Sequence, residues 1–425
     1  MVQLSSKDCI QCNEVAEKGL SSAAVKNKIL EEKIIAVKYG FGDADWDHLT
    51  KTNKAPTGLL LLFYSPSGNV IYRYNGSTSF ANSYIQMIDA AKSKLNDESA
   101  IETFEKAYES GSRNPALLAQ LIDFRQNLGR ETGPVLDDYV RSLPKDSIQS
   151  ITQIQKIALY APILNTYTDS VLRSNGDRFN EAWYRMDLQT RININNMIIA
   201  KTRNQAVDQK NEKLAYRVAN FAAGTTSSSM EKNRLYNFHL MEYHRLTKDT
   251  ANYLFVASRL YEQYYMRISA DSIKKIDSIT RQQNLTPPSL DIAPGISSES
   301  NGRIGVQRTI SFTPKAQFFA NDLNNGAFTV YTMTNVEMYT TYALKWSARS
   351  LEFNESAASL DTYARLLYKT GQRDSAIYYQ QKAVELEKKK GYKAAAFETV
   401  LEKMKEKEAR IDEYCCDYNS GKKIH

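Results

Sequence analysis

The chain opens on Val2-Gln3-Leu4-Ser5-Ser6-Lys7-Asp8-Cys9-Ile10-Gln11-Cys12, and these residues decide the fold class. Val2 to Leu4 suits a short strand, and the C-x-x-C pair follows at the start of a helical stretch. That stretch runs from Asn13 to Glu32 with an interruption near Gly19 to Ser22. At a helix N-terminus the free backbone N–H groups and the macrodipole favour a thiolate, which makes the first cysteine the attacking group. Cys12 lies one turn later, within reach to resolve a mixed disulfide. Alone, a C-x-x-C is only moderately specific; its place between strand and helix adds weight.

Outward from there, Lys33 to Lys38 (KIIAVK) is a β-branched apolar run that predicts a second strand. A short helix follows to about Lys51, with Asp43 or Asp45 placed to cap it by accepting from free backbone N–H groups. Leu59 to Tyr64 and Asn69 to Tyr74 are two further strand signals, and Ser65-Pro66-Ser67-Gly68 between them supplies hairpin turn residues. Asn75-Gly76 ends the last strand. Phe80 to Leu95 then closes the unit as an amphipathic helix, with Tyr84, Met87, Ile88 and Ala91 on one face. Residues 1–95 predict an α/β domain.

The 425 residues suffice for two to three domains, and a 42% apolar, 24% charged composition supports a packed core over wholesale disorder. The 55 basic and 48 acidic residues leave +7, a small surplus for this length, which gives no argument for nucleic acid. The longest apolar run, Leu59 to Phe63, is far short of the ~20 residues that span a bilayer. Four cysteines, Cys9, Cys12, Cys415 and Cys416, make no disulfide framework, so any thiol use is specialised. The N-terminus lacks the basic, apolar and small-residue succession of a secretory signal.

From Asn96 the pattern is almost wholly helical, broken by short turns at Ser110 to Pro115, Gly129 to Gly133 and Leu143 to Asp146. Such lengths suit paired antiparallel helices. Gly224 to Ser229 is a small-polar loop, and Asn284 to Asn301, with Pro287, Pro288 and Pro294, begins an irregular stretch expected to run to about Asn325. The predicted organisation is therefore 1–95 α/β, 96–283 helical and repeat-like, 284–325 irregular linker or long loop, and 326–425 C-terminal helices and tail. Within the last part, Ala343-Leu344-Lys345-Trp346 through Glu352 returns as Ala376-Ile377-Tyr378-Tyr379 through Glu385, a shift of 33 residues. Small residues Ala364, Ala376 and Ala383 fall where two helices must approach closely, and Gly371 provides the turn between them.

Residues 357 to 386 resemble the tetratricopeptide repeat family, whose helix pairs recur every ~34 residues. The match is good over one repeat, partial over the one before and faint over Ser99 to Arg141, and Gln380 stands where the pattern has an aromatic. Such repeats stack for purely structural reasons or present a concave surface to a protein partner, and both outcomes follow from the same geometry. The basic groups Lys388 to Lys390 and Lys422 to Lys423 read as solvated helix and tail.

Val2 to Leu95 resembles the thioredoxin superfamily: the C-x-x-C after a strand, then Ala55-Pro56-Thr57 at the entry to a strand, a hairpin and a last helix. The resemblance implies Cys9 as nucleophile and Cys12 as resolving thiol. It also implies Pro56 as a cis residue facing the pair and shielding it from metal, and Ala55 as the backbone that pairs with an extended substrate. It departs at three points. Asp8 replaces the usual Trp and opposes a thiolate, Ile10-Gln11 replaces Gly-Pro, and Gln3 stands where a buried acid assists the resolving cysteine. The chain also starts at the first strand of the unit, so the sheet edge is exposed or the natural N-terminus is longer. The domain order is similar to exported thioredoxin-family proteins of Gram-negative bacteria, which implies a periplasmic or otherwise exported location and leaves a cytoplasmic one open.

Other signals are weaker. Asp43, Asp45 and Asp47 copy half a calcium loop, but His48 and Lys54 occupy positions that need Gly and Glu. Gly40-x-Gly42 lacks the third glycine of a dinucleotide site. His239 and His244 are five apart, wrong for a zincin and better read as core or surface histidines. A zinc site on Cys9 and Cys12 lacks a second C-x-x-C, since Cys415 and Cys416 are neighbours. No cofactor or metal is assigned. Two functions remain: a thioredoxin-like oxidoreductase whose helical repeats hold a protein substrate or partner, with a redox partner recycling Cys9 and Cys12; or a non-catalytic interaction scaffold with a redox-degenerate thioredoxin-like domain.

Overall fold

The computed structural model describes residues 1–6, 10–40, 43–53, 59–95, 98–285, 314–390, 394–408 and 411. A four-stranded mixed sheet with flanking helices comes first. Its strands are β1 (Val2–Leu4), β2 (Val37–Tyr39), β3 (Leu60–Tyr64) and β4 (Val70–Asn75), in the order β2-β1-β3-β4. β1 runs parallel to β2 and antiparallel to β3, with Val2 opposite both Val37 and Leu62. A parallel pair needs a crossover, and α1 (Ile10–Leu20) and α2 (Ala23–Glu31) provide it; the antiparallel β3–β4 pair needs only the tight turn.

β3 explains its own sequence. Leu59, Leu61 and Phe63 pack with Ala16 of α1, Val25 of α2, and Tyr84, Met87, Ile88 and Ala91 of α4 (Ala81–Lys94). Leu60 and Leu62 face the other way, against Leu4, Tyr39 and Leu49, the last from α3 (Trp46–Thr52). A strand covered on both faces gains from apolar residues at every position, so it reads as a solid run instead of an alternation.

Two local expectations are corrected. Only the end of the KIIAVK run is strand: Lys33 has φ 54° and Ile34 N–H donates to Ile29 O at 2.9 Å, so these residues finish α2. Ile34 then packs on the core while Ile35 is 81% exposed. At α3, Asp45 precedes the helix but makes no side-chain cap, and Asp43 accepts instead from the backbone N–H of Gly40 at 2.5 Å.

The rest is mostly helical, with paired long helices. The chain divides into two compact units, one spanning Met1–Val218 and the next beginning at Ala219. The first continues with α5 (Glu98–Glu109), α6 (Pro115–Asn127), α7 (Gly133–Ser142), α8 (Lys145–Ile148), α9 (Ile151–Leu159), α10 (Tyr167–Ser174), α11 (Gly176–Tyr184) and α12 (Leu188–Asp208), and the boundary falls in α13 (Glu212–Gly224). α6 starts where Pro115 supplies a preset φ and Asn114 accepts from the N–H groups of Ala116 and Leu117. Its Leu118, Leu121 and Ile122 form a core with Val135, Leu136 and Tyr139 of α7 and Ile154 and Ile157 of α9.

The second unit holds α14 (Ser229–Leu246), α15 (Thr250–Gln263), α16 (Ala270–Leu285), α17 (Lys315–Met333), α18 (Glu337–Phe353), α19 (Ala357–Lys369), α20 (Arg373–Lys389) and α21 (Ala395–Lys405). Helix α17 corrects the irregular stretch expected to reach Asn325. Asn321-Asp322-Leu323-Asn324-Asn325-Gly326 has a turn-like composition, yet it is helical because Leu323 and Gly326 are buried. Gly326 lies under Tyr261, where a Cβ would meet the ring Cζ at 2.2 Å. Asp277 of α16 caps this helix, accepting from Lys315 N–H and Ala316 N–H at 2.8 Å each.

Gly371 closes α19 with φ 85°, Gln372 N–H donating to Leu367 O at 2.8 Å and Gly371 N–H to Tyr368 O at 3.0 Å. This is a Schellman ending. The same ending occurs at Lys248 after α14, with φ 60°, where an exposed lysine adopts the left-handed conformation that costs a side chain about 1 kcal/mol. Gly371→Ala is expected to lower stability by about 1 kcal/mol and Lys248→Gly to raise it by a little less, the unfolded chain's added freedom offsetting part of the gain. Urea midpoints check this; shifts of the same sign in both variants contradict it.

Candidate functional site

The end of β1 is held on every side. Ser5 N–H donates to Tyr39 O at 2.9 Å, continuing the β1–β2 ladder one residue past the strand. The indole Nε1–H of Trp46, first residue of α3, donates to Ser5 O at 3.0 Å. One residue on, Ser6 N–H donates to Asn13 Oδ1 at 2.8 Å and Asn13 Nδ2 donates back to Ser6 O at 2.8 Å. The backbone groups of Ser5 and Ser6 are thus all paired, as burial of both residues requires. The segment carrying the C-x-x-C leaves this anchored point and re-enters the described chain at α1.

Cys12 sits in the opening turn and a half of α1, is half-buried and is disulfide-bonded. It lies one turn before Ala16, which is fully buried in the layer between sheet and helices, so both occupy one side of α1. Cys9, Ala55 and Pro56 lie outside the described residues, as do Asp8, Cys415 and Cys416. Gln3 is opposite Leu61 across β1 and β3, and facing residues of adjacent strands share a side, so its carboxamide enters the same layer as Ala16. There it is 5% exposed, and its Nε2 has no hydrogen-bond partner among the described residues. Asn13 and Trp46 carried no sequence signal beyond residue type, although Asn is a weak helix former and its place early in α1 hints at a side-chain role.

No protein-family model matches the chain, and no curated protein does. Among the described residues no group of three or more His, Cys, Asp or Glu is arranged to hold a metal, and no helix is long and apolar enough to cross a membrane. His239 and His244 are both buried on α14, and His244 Nδ1 lies 3.3 Å from Asp249 Oδ2.

Two charged groups elsewhere, Lys201 half-buried and Arg365 buried, are structural. Lys201 of α12 donates to Gln126 Oε1 at 3.1 Å, Thr132 Oγ1 at 3.0 Å and Tyr160 O at 2.7 Å, so all three of its protons are engaged. It ties the ends of α6 and α9 and the start of α7 together. Burial pushes its ammonium down from 10.5 to about 8. In the second unit, buried Arg365 donates to Asp361 at 2.7 Å and to Ile411 O at 2.9 Å, and buried Gln380 donates to Asp361 at 2.8 Å and Phe397 O at 3.1 Å. The residue that departs from the repeat pattern is therefore a polar clasp between α19, α20 and α21.

Two outcomes follow from these groups. Between pH 8 and 10.5 the unfolded chain holds the Lys201 proton that the folded chain has released, so unfolding takes up a proton and stability rises with pH. Below 8 both states are protonated and the gain is absent. The stability gap between the natural protein and Lys201→Met should therefore move in the natural protein's favour from pH 7.5 to 9.5; a constant gap contradicts this. Gln3→Leu removes a buried unpaired donor at similar volume and should leave stability unchanged or raise it by up to about 1 kcal/mol, measured by urea unfolding. A loss of more than that would show that the carboxamide is bonded in solution.

Proposed function

We propose that the α/β region is a thioredoxin-like domain performing thiol-disulfide exchange, with Cys9 as nucleophile and Cys12 as resolving thiol, and that the helical region holds a protein substrate or partner. The observation that carries this is Cys12 itself, disulfide-bonded in the opening of the helix that follows a central strand in the chain. A helix N-terminus supplies unpaired N–H groups that stabilise a thiolate. The β-α-β unit followed by a hairpin and a closing helix is the element order on which the family resemblance rests.

The chemistry is two displacements. The Cys9 thiolate attacks one sulfur of a substrate disulfide, forming a mixed disulfide and expelling the other substrate sulfur as a thiolate that takes up a proton. The Cys12 thiol gives up its proton and its sulfur then attacks Cys9, releasing the second substrate thiolate and leaving a Cys9–Cys12 disulfide. Two electrons have passed to the substrate, and a dithiol partner must return them; the reverse sequence oxidises a substrate dithiol. The Ala55 backbone would align an extended substrate beside Pro56. An exported location fits this chemistry, since an oxidising surround gives the pair disulfides to act on.

Gln3 favours a second role, an interaction scaffold, because a carboxamide in that buried place carries no titratable proton to assist Cys12. Peptide mapping by mass spectrometry, followed by titration with dithiothreitol and turnover of insulin disulfides, separates the two. The oxidoreductase requires a Cys9–Cys12 bridge that reduces reversibly, and activity lost in Cys9→Ser. A bridge from Cys12 to Cys415 or Cys416, or insulin left intact, leaves the scaffold.

A further inference from the structure

We propose that the cleft between β4 and α5 binds the C-terminal end of an extended peptide, whose last residues pair with the open edge of β4 at Val70 while Arg130 and Lys106 hold the carboxylate. The proposal is independent of the thiol exchange above. β4 ends the strand order, so among the described residues one of its edges has no strand beside it. Its ladder to β3 is hydrogen-bonded near both ends, by Gly76 N–H to Leu59 O and by Ser65 N–H to Asn69 O, each at 2.9 Å. Bonded and non-bonded pairs alternate along an antiparallel ladder. Val70, opposite Tyr64 and next to the bonded Asn69, therefore turns its N–H and C=O away from β3. The register slips just beyond it, so the next residue whose backbone faces outward is Arg73, opposite Leu62. Outward-facing groups on an edge strand are what an incoming extended chain pairs with.

At Val70 this edge opens on a cleft of about 230 Å³ whose facing wall is α5. Both ends are bounded along the strand. At one, Asn69 Nδ2 donates across to Glu102 Oε1 at 3.2 Å; at the other, the turn between α6 and α7 closes on β4, where a Cβ on Gly129 would meet the Arg73 guanidinium at 2.7 Å. Such a space admits the end of a chain but not a strand that runs on through it, and a chain end brings a charge. The lining charges that have bonds left to give decide which end. Glu105 has both oxygens held by Arg125, Nε at 3.0 Å and Nη2 at 2.5 Å, and Glu102 is engaged by Asn69. Arg130 comes no nearer than 3.7 Å to the occupied Glu105, and neither Lys106 nor Glu109 forms an ion pair among the described residues. Two cations are thus left against one acid, which favours a carboxylate over an ammonium. A guanidinium grips a carboxylate through parallel N–H donors, and this is the anion that every free peptide end supplies. Val70, Ile71 and Ile101 make the rest of the lining apolar, so a branched apolar last residue suits it.

The probe is the fluorescein-labelled pentapeptide GSGVV with a free carboxylate, titrated with the full chain and read by fluorescence anisotropy. Its C-terminal amide and a copy N-methylated at both valines serve as controls, and none of the three contains sulfur. The free acid is expected to bind about tenfold more tightly than either control, and Arg130→Gln to weaken the acid about tenfold while leaving the amide unchanged. Lys106→Gln, on the exposed side of α5, should act in the same direction and decides the matter if Arg130→Gln does not fold. Equal binding of acid and amide overturns carboxylate capture, and equal binding of the N-methylated copy overturns pairing with Val70. Binding that survives both substitutions lies elsewhere and overturns the site. No anisotropy change up to about 0.5 mM protein overturns the proposal as a whole.

Discussion

β1 is three residues long and hydrogen-bonded on both edges, parallel to β2 and antiparallel to β3. Its register is fixed because its two faces differ: Leu4 belongs to the core with Leu60 and Leu62, and Gln3 enters the opposite layer. A slip of one residue would exchange them, exposing the apolar core to a carboxamide and moving every downstream contact by one position. Ser5 could then no longer meet both Tyr39 O and Trp46 Nε1, nor Ser6 meet Asn13. Where α1 begins is thus settled by the pairing of a short strand, and the placement of Cys12 follows from it.

What the sequence made legible is what repeats or alternates. β3, β4 and α4 announced themselves through an apolar run, a turn and a helical stripe, and Tyr84, Met87, Ile88 and Ala91 are all buried as that stripe requires. β2 was legible only as a region. KIIAVK carries the strand formers Ile34, Ile35 and Val37, but α2 needed a left-handed residue to finish, and Lys33 and Ile34 were taken into that ending, displacing the strand toward Tyr39. Lys248 and Lys210 end helices the same way without a glycine to mark the spot, so composition alone gives no stop signal there.

The anchors around Cys12 were illegible for a different reason. Trp46 and Ser5 are 41 residues apart, and a side chain that donates to a distant carbonyl leaves no periodic trace. Such a contact depends on the register of strands between them, which is a property of the folded sheet. The sequence could nominate Cys12 because a motif stands at a helix start, yet the groups that hold that start in place emerge only once β1 is paired.

The second unit shows the complementary use of buried polarity. An aromatic at position 380 would make no directional bond to its neighbours, whereas the Gln380 amide donates to Asp361 and Phe397 O together. Arg365 completes the set by binding the other oxygen of Asp361 and then Ile411 O, so one carboxylate joins α19 to α20 and its guanidinium partner fixes the chain beyond α21. Burying that ion pair gains little stability over an apolar trio of equal volume, because desolvation offsets the attraction. What the cluster gains is geometry: Asp361 and Arg365 pair within α19 in any register, but only one register also brings Gln380 and Ile411 O to that pair.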